Sequence, residues 1–358
     1  MIANDNAAPA VSIVVPCRNE RDHIETVLQS ILAQDPPPGD FEVIVADGMS
    51  DDGTREILAR ISQEDSRLRV IDNPERIIPT GLNASIRTAR GRIVVRMDAH
   101  SEYAPDYVQQ CVAVLNETGA DSVGGPWVAE GKGLVGQAIA AASQSAFSVG
   151  GALAHQSNYE GPLDTVYLGC WPVDIFNRVG LFDEELVRSE DDEFNLRLTR
   201  TGGKVWQSPR IKSWYHPRES FRSLFQQQMQ YGYWKVRVIQ KHRIPASVRH
   251  LVPASFLLSL ILLALGSFYM PRTAWSWLFL VATYLICNFA AAFLTAGRAG
   301  WKIFPVLPIV FVCYHFAYGY GFIRGICDFI IFRRRPSEVY TELTRTPASP
   351  LPKNTATN

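Results

Sequence analysis

The stretches VSIVVPCRNE (residues 11–20), FEVIVADGMSDDGT (41–54) and RIVVRMDAH (92–100) decide the fold, because each is a β-branched run that stops at a polar, acid-bearing turn. Working outward, helix-length stretches separate the runs: RDHIETVLQSILAQ (21–34), GTREILARISQED (53–65) and a segment from Thr80 to Ala89 with Leu82, Ile86 and Ala89 at helical spacing. LRVIDN (68–73) supplies another strand, and DYVQQCVAVLNETG with DSVGGP a further helix and strand. The alternation predicts an α/β fold over the first 126 residues, a mostly parallel, Rossmann-like sheet with helices on both faces. Ligands of such a sheet sit beyond the carboxyl ends of its strands.

Carboxylates stand at those ends: Asp47 after FEVIVA, Asp72 after LRVI and Asp98 after RIVVRM. Asp72, followed by Asn73-Pro74, reads as a turn-capping residue. In MDAH, Asp98 and His100 are two apart, and on an extended segment such residues point to one face. A carboxylate and an imidazole can then share a divalent cation, Mg²⁺ or Mn²⁺, bridging the phosphates of a nucleotide diphosphate. Further on, SEDDEFNLRLTRTGG (189–203) predicts an amphipathic helix with Glu190, Asp191, Asp192 and Glu193 in its first turn, stopped by Gly202-Gly203. Crowded like charges raise the pKa of at least one acid, which fits a general base towards a sugar hydroxyl.

The rest of the chain has a different character. GKGLVGQAIAAASQSAFSVGGALA (131–154) predicts one small-residue helix followed by a loop. LVPASFLLSLILLALGSFYM (251–270) and AWSWLFLVATYLICNFAAAFLTAG (274–297) carry no charged side chain, and at about 1.5 Å per residue each matches the roughly 30 Å hydrocarbon layer. A third apolar run, 303–332, contains Pro305, Pro308, His315, Arg324 and Asp328 and is expected as a re-entrant hairpin bent near the prolines or an interfacial helix, with a plain third crossing as the alternative. Cationic clusters before and after the region place both flanks on the cytoplasmic side.

The 35 Lys+Arg balance 35 Asp+Glu overall, but residues 1–232 hold 21 against 32 and residues 233–358 hold 14 against 3. This acidic front and basic, apolar back, with no basic stripe interleaved with aromatics, argue against a nucleic-acid partner. Six scattered cysteines without C-x-x-C spacing exclude a zinc knuckle and read as small buried hydrophobes in a reducing compartment. The first ten residues lack the features of a secretory signal and are expected to be disordered, as is the Pro/Thr-rich tail SEVYTELTRTPASPLPKNTATN (337–358). The organisation expected is an α/β domain over 11–235, a membrane region over 236–332 and a basic, then disordered, tail over 333–358.

Taken in order, VSIVVPCRNE, ADGMSDDGT, NPERIIPTGLNASIRTARG, RMDAH, GLFDEELVRSEDDEFNLRL and QYGYW resemble the inverting family 2 glycosyltransferases with a GT-A fold, in particular membrane-anchored exopolysaccharide enzymes of the succinoglycan glucosyltransferase type. The resemblance covers roughly residues 11–235. It implies that Pro16, Asn19 and Glu20 line the nucleotide site, that Asp47 holds uracil or ribose, and that Asp52 is the second acid of that turn. It further implies that Asn83 approaches the diphosphate, that Asp98 and His100 bind the metal, and that Asp191, preceded by Glu190, is the catalytic acid-base group. Gln230 and Trp234 match the Q-x-x-R-W run of processive synthases, with Tyr233 where those have arginine. That loss argues against processivity, because a guanidinium suits bidentate diphosphate contact.

The activity implied is transfer of glucose from UDP-glucose to a lipid-linked oligosaccharide, by an enzyme of the inner (plasma) membrane, multi-pass, with its catalytic domain in the cytoplasm. Two other readings stay open: a polyprenyl-phosphate sugar synthase, and a non-catalytic membrane scaffold that keeps a nucleotide-binding shell.

Overall fold

Each strand-like run of the front half forms a strand for the reason its sequence gives: alternate residues fill opposite faces of one sheet. The computed structural model describes residues 8–245 and 247–342. In chain order the elements are β1 (Val11–Cys17), α1 (Ile24–Leu32), β2 (Phe41–Asp47), α2 (Thr54–Glu64), β3 (Leu68–Asp72), α3 (Ile78–Thr88), β4 (Ile93–Arg96), β5 (Ser101–Tyr103), α4 (Tyr107–Thr118), β6 (Ser122–Gly125), β7 (Val128–Ala129), α5 (Gly133–Ser143) and α6 (Ala146–Val149). Then follow β8 (Gly161–Leu163), β9 (Tyr167–Pro172), α7 (Ile175–Val179), α8 (Glu190–Arg200), β10 (Val205–Gln207), β11 (Ser213–Tyr215), α9 (Phe221–His242), α10 (Val252–Gly266), α11 (Pro271–Ala299) and a third apolar helix (Leu307–Ile331). The described chain falls into two units, one of residues 8–128 and 156–215, the other of 129–155 and 216–342.

The first unit is built on an eight-stranded sheet of order β3-β2-β1-β4-β9-β6-β10-β8. β3, β2, β1 and β4 are parallel, with Pro16 opposite Ala46 and Cys17 opposite Asp47. Val11, Ile13 and Val15 pack with Leu28 of α1, Leu58 of α2 and Val108 of α4 on one face. Val14 and Val94 face the other way, towards Leu82 of α3, Ile175 of α7 and Phe194 of α8. The fold is the expected GT-A-like α/β arrangement. The sequence reading missed β9, which runs antiparallel between β4 and β6. YLGCWP lacks alternation and holds Leu168 and Gly169 at positive φ, so neighbours on both sides, more than propensity, make it a strand.

In the second unit, α9 and the third apolar helix approach closely through glycines. A Cβ on Gly321 would lie 1.9 Å from the Met229 carbonyl oxygen, and one on Gly232 would lie 2.1 Å from that of Tyr318. Among the described residues three helices are long and apolar enough to cross a membrane, Val248–Gly266, Pro271–Ala299 and Leu307–Ile331; 6% and 17% of the most apolar stretch of the first two are buried in the protein, against 50% in the third. The hairpin expected in the third run is not formed: Pro305 precedes the helix and Pro308 sits in its first turn, where proline is tolerated, and the helix then continues with π-wound stretches at Cys313–Ala317 and Ile326–Ile331.

Two further expectations are corrected. Cys17, Cys111, Cys170 and Cys313 are buried, but Cys287 on α11 is exposed and Cys327 on the third apolar helix half-buried; all six are free thiols. The tail is ordered as far as Glu342: a 3₁₀ turn at Glu338–Tyr340 buries Tyr340, which stacks on Tyr233 with ring centroids 3.8 Å apart. The remaining expected disorder, residues 1–7 and 343–358, lies outside the described residues. Gly321→Leu is expected to force α9 and the third helix apart at a cost of about 1–3 kcal/mol, read as a lowered unfolding temperature of the purified protein.

Candidate active site

The strand-end turns after β1 and β2 are zipped together by side-chain to backbone bonds. Asn19, at φ 54°, donates its N–H to Ser50 Oγ (2.9 Å) and its Nδ2 to Asp51 (3.0 Å), while the Asp51 N–H returns to Asn19 Oδ1 (3.1 Å). The Glu20 N–H reaches Thr54 Oγ1 at 2.9 Å. Asp47, fully buried, accepts from Ser50 Oγ (2.6 Å), the Ser50 N–H (3.1 Å) and Arg55 Nη1 (2.7 Å), and Arg55 also pairs with Asp72 at 2.8 Å. Asp47 therefore shapes the turn from inside, and Asp72 is one anchor of Arg55. Burial pushes the Asp52 carboxyl up, but the Thr54 hydroxyl at 2.6 Å and the N–H groups of Thr54 and Arg21 outweigh it and hold the group below the usual range.

Asp98 and His100 lie just past the end of β4, in a turn closed by a bond from the Ser101 N–H to the Asp98 carbonyl (3.4 Å). The expectation that strand alternation aligns them is corrected, because β4 stops at Arg96 and a turn brings the pair round. His100 Nδ1 lies 3.4 Å from Glu20 Oε1, which ties this turn to the one after β1. An aromatic wall stands beside it: Tyr215 is 6.1 Å from the His100 ring and 5.2 Å from Trp127, and the Tyr167 hydroxyl bonds Ser101 at 2.9 Å.

The sequence reading missed Arg96. Its guanidinium is 5% exposed and joins two site acids, with Nε 3.0 Å from Asp98 Oδ1 and Nη1 3.2 Å from Glu190 Oε1. Burial opposes its charge, yet Asp98, Glu190 and Asp191 outweigh that and keep it protonated. A charged residue inside RIVVRMD, between inward-facing apolar positions, was the available signal.

Glu190 and Asp191 open α8, after Ser189 in the left-handed conformation. Glu190 is engaged by Arg96, whereas Asp191 takes one described bond, from the Asp192 N–H to Oδ1 (2.8 Å), and keeps part of its surface accessible. Burial, then Glu190 and Asp192, push Asp191 up to about 7 against the pull of Arg96. Such a group holds and releases a proton near neutrality, as a general base must.

The structure thus joins Asn19, Glu20, Asp47 and Asp52 to His100, and Asp98 to Glu190 and Asp191; Pro16 sits on β1 just before the first turn. Three expected residues are committed to bonds of their own. The Asn83 amide is buried and committed to the loop before α8, with Nδ2 donating to the Phe182 carbonyl and to Glu184 (both 2.8 Å) and Oδ1 accepting from the Phe182 N–H (2.9 Å). It shapes that loop and has no amide group left for a diphosphate. Gln230 and Trp234 belong to the second unit and hold the tail: Gln230 Nε2 donates to the carbonyls of Val339 (2.9 Å) and Glu342 (3.0 Å), and Trp234 Nε1 to that of Tyr340 (2.8 Å).

For a divalent cation the donor chemistry fits. Among the described residues no three His, Cys, Asp or Glu side chains form a closed cage. Asp98 and His100 supply one oxygen and one nitrogen donor within a single turn, and a Mg²⁺ or Mn²⁺ held by few protein groups completes its shell with substrate phosphates.

Strand-end turns on such a sheet, an acid and imidazole beside them and a poised carboxylate on a neighbouring helix are the equipment of a nucleotide-sugar transferase. Residues 12–148 match the family described as Glycosyl transferase family 2. Over 94% of this chain and 99% of the relative, the sequence is 30% identical to the succinoglycan biosynthesis protein ExoA of Rhizobium meliloti. It is 23% identical, over 88% of the chain and 97% of the relative, to the dolichyl N-acetyl-alpha-D-glucosaminyl phosphate 3-beta-D-2,3-diacetamido-2,3-dideoxy-beta-D-glucuronosyltransferase of Methanococcus voltae. A mannosyltransferase of Pyrobaculum calidifontis, solved with GDP-Man and Mn²⁺, shares the fold at TM-score 0.56 and 20% identity, over 90% of this chain and 88% of that one. The chain belongs to glycosyltransferase family 2, and it is a glycosyltransferase of polysaccharide or glycan biosynthesis.

Arg96→Met, close in volume, is expected to leave Asp98 and Glu190 buried without their shared guanidinium. A loss on the order of 3–5 kcal/mol follows, measured by denaturant unfolding of the purified protein at pH 7.

Proposed function

We propose that this chain is a membrane-attached inverting glycosyltransferase that moves glucose from UDP-glucose onto a lipid-linked oligosaccharide in exopolysaccharide biosynthesis. The observation that carries it is Asp191 on the first turn of α8, pushed up to about 7 with one oxygen uncommitted, while Arg96 links its neighbour Glu190 to Asp98. Asp191 takes the proton of the acceptor hydroxyl as that oxygen attacks the anomeric carbon from the face opposite the diphosphate. The turns bearing Pro16, Asn19, Glu20 and Asp52 surround the nucleotide. Asp98 and His100 would hold Mg²⁺ or Mn²⁺, which supplies positive charge for the departing diphosphate.

Two relatives support the acceptor and pathway: one is named for succinoglycan biosynthesis, and the name of the other describes a sugar acceptor on dolichyl phosphate. The mannosyltransferase solved with GDP-Man and Mn²⁺ supports a nucleotide sugar and a divalent ion. A base poised near neutrality favours a sugar hydroxyl over the already ionised phosphate of a polyprenyl-phosphate synthase.

The domains we propose are a transferase over 11–235 and a membrane region over 236–332 in the inner membrane, with the transferase cytoplasmic. Two crossings, Val248–Gly266 and Pro271–Ala299, support that orientation. The third helix is half-buried, clamped to α9 through Gly321 and Gly325, and buries Asp328 against Tyr233 Oη at 3.2 Å. A buried, hydrogen-bonded carboxylate suits an interfacial helix better than a third lipid-facing span. A reporter fused after Asn358 is expected on the cytoplasmic side; an external signal would establish three crossings.

Asp191→Asn is expected to cut transfer at least about a hundredfold while UDP-glucose binding, measured by calorimetry, stays near wild type. Because the ionised form is the base, kcat/KM should climb as pH rises through about 7 and level off above it. That limb should vanish in the variant. Chelator is expected to abolish transfer and Mg²⁺ or Mn²⁺ to restore it, with His100→Ala needing more metal than wild type for half-maximal binding.

A further inference from the structure

The chain leaves the first unit after β7 and returns before β8, and the excursion between them, residues 129–155, is part of the second unit. From Gly133 to Tyr159 it holds no charged side chain. Ala138, Ile139 and Ala142 of α5 share one core with Ala292 and Ala296 of α11 and with Leu307, Val310 and Phe311 of the third helix. The Phe147 carbonyl accepts from His315 Nε2 at 2.7 Å, and its ring meets those of His315 at 4.7 Å and Phe311 at 5.3 Å.

The depth of these contacts follows from the α10–α11 pair. Tyr284 bonds His315 Nδ1 at 3.0 Å and stacks on Phe256 at 4.8 Å, so Phe147, His315, Tyr284 and Phe256 share one level. Phe256 lies ten residues from Gly266 and Tyr284 thirteen from Pro271, the ends of α10 and α11 that face each other across their connecting turn, which is about 15–20 Å at 1.5 Å per residue. In a hydrocarbon layer about 30 Å thick, that leaves the level about 10–15 Å from the surface on the basic side, within the leaflet in which an interfacial third helix would also be seated. Gly150 instead lies against the Arg249 side chain just before α10, at the level of the basic flank.

The excursion closes several of its turns with its own backbone bonds, while the Ser148 hydroxyl is buried without a partner among the described residues. Its turns are closed by bonds from the N–H groups of Ser148, Val149, Ala152 and His155 to the carbonyls of Ser145 (twice), Val149 and Ala152, and the Ser143 hydroxyl turns back to Ala140 at 2.7 Å. Leu134 and Leu153 remain 49% and 40% exposed.

We propose that residues 133–155 insert into the leaflet on the side of the basic flanks, with lipid acyl chains packed on Leu134, Phe147 and Leu153, so that the transferase is held to the bilayer by an internal excursion as well as by its apolar helices. The proposal rests on α10 and α11 crossing the membrane and not on the identity of the sugar.

The test uses the wild-type full chain in nanodiscs of phosphatidylcholine and phosphatidylglycerol containing a phospholipid with a diazirine at the acyl-chain end. After photolysis, peptides are mapped by mass spectrometry. Adducts are expected on 133–155 at a yield per residue within about threefold of that on 252–299, and Leu134→Asp with Leu153→Asp is expected to lower the 133–155 adducts at least threefold. Adducts on 252–299 with none on 133–155 would overturn the insertion. Adducts on neither stretch would overturn it together with the membrane reading. Because the readout is lipid contact, a failure of the donor or acceptor assignment would leave it unchanged and would appear in the transfer assay instead.

Discussion

A guanidinium buried among carboxylates, Arg96 between Asp98 and Glu190, is the interaction on which the site depends. It sets a positive charge between two buried carboxyl groups, and breaking such a buried pair costs several kcal/mol. Its position at the end of β4 gives it two tasks. It fixes one oxygen of Asp98 at the strand end, and it anchors the first turn of α8 through Glu190. Asp191, one residue on, inherits a fixed direction and a crowded electrostatic setting, in which burial and two neighbouring acids overcome the pull of the same arginine. The end of β4 and the first turn of α8 are thereby joined through one side chain.

The second constraint is the mutual locking of the turns after β1 and β2. Asn19, Ser50, Asp51 and Thr54 exchange bonds across turns some 30 residues apart in sequence, and Asp47 holds the inner side through Ser50 and Arg55. Polar residues at these strand ends also bond one another and so frame the edge they form. Asn83 is a further case of framing: an amide satisfied at both ends by the loop before α8 acts on the site only by shaping it. In the second unit the same economy applies to Gln230 and Trp234, whose donors secure the tail carbonyls while Tyr233 stacks on Tyr340.

The sequence by itself determined the α/β alternation, the positions of Asp47, Asp98 and Asp191 at strand and helix ends, the three apolar runs and the acidic helix that begins at Glu190. These are local properties: periodicity, β-branched composition, helix stop signals and run length are written in adjacent residues. Tertiary structure alone decided what requires distant partners. β9 is a strand because β4 and β6 flank it, Arg96 matters because Glu190 lies 94 residues away, and the tail is ordered because α9 offers Tyr233 and Trp234. The small-residue run at 133–143 was legible as a helix, but its packing against apolar helices more than 100 residues later was not. Hydrogen bonds, ion pairs and burial depend on positions in space, and a one-dimensional pattern specifies those only where neighbours in space are also neighbours in the chain.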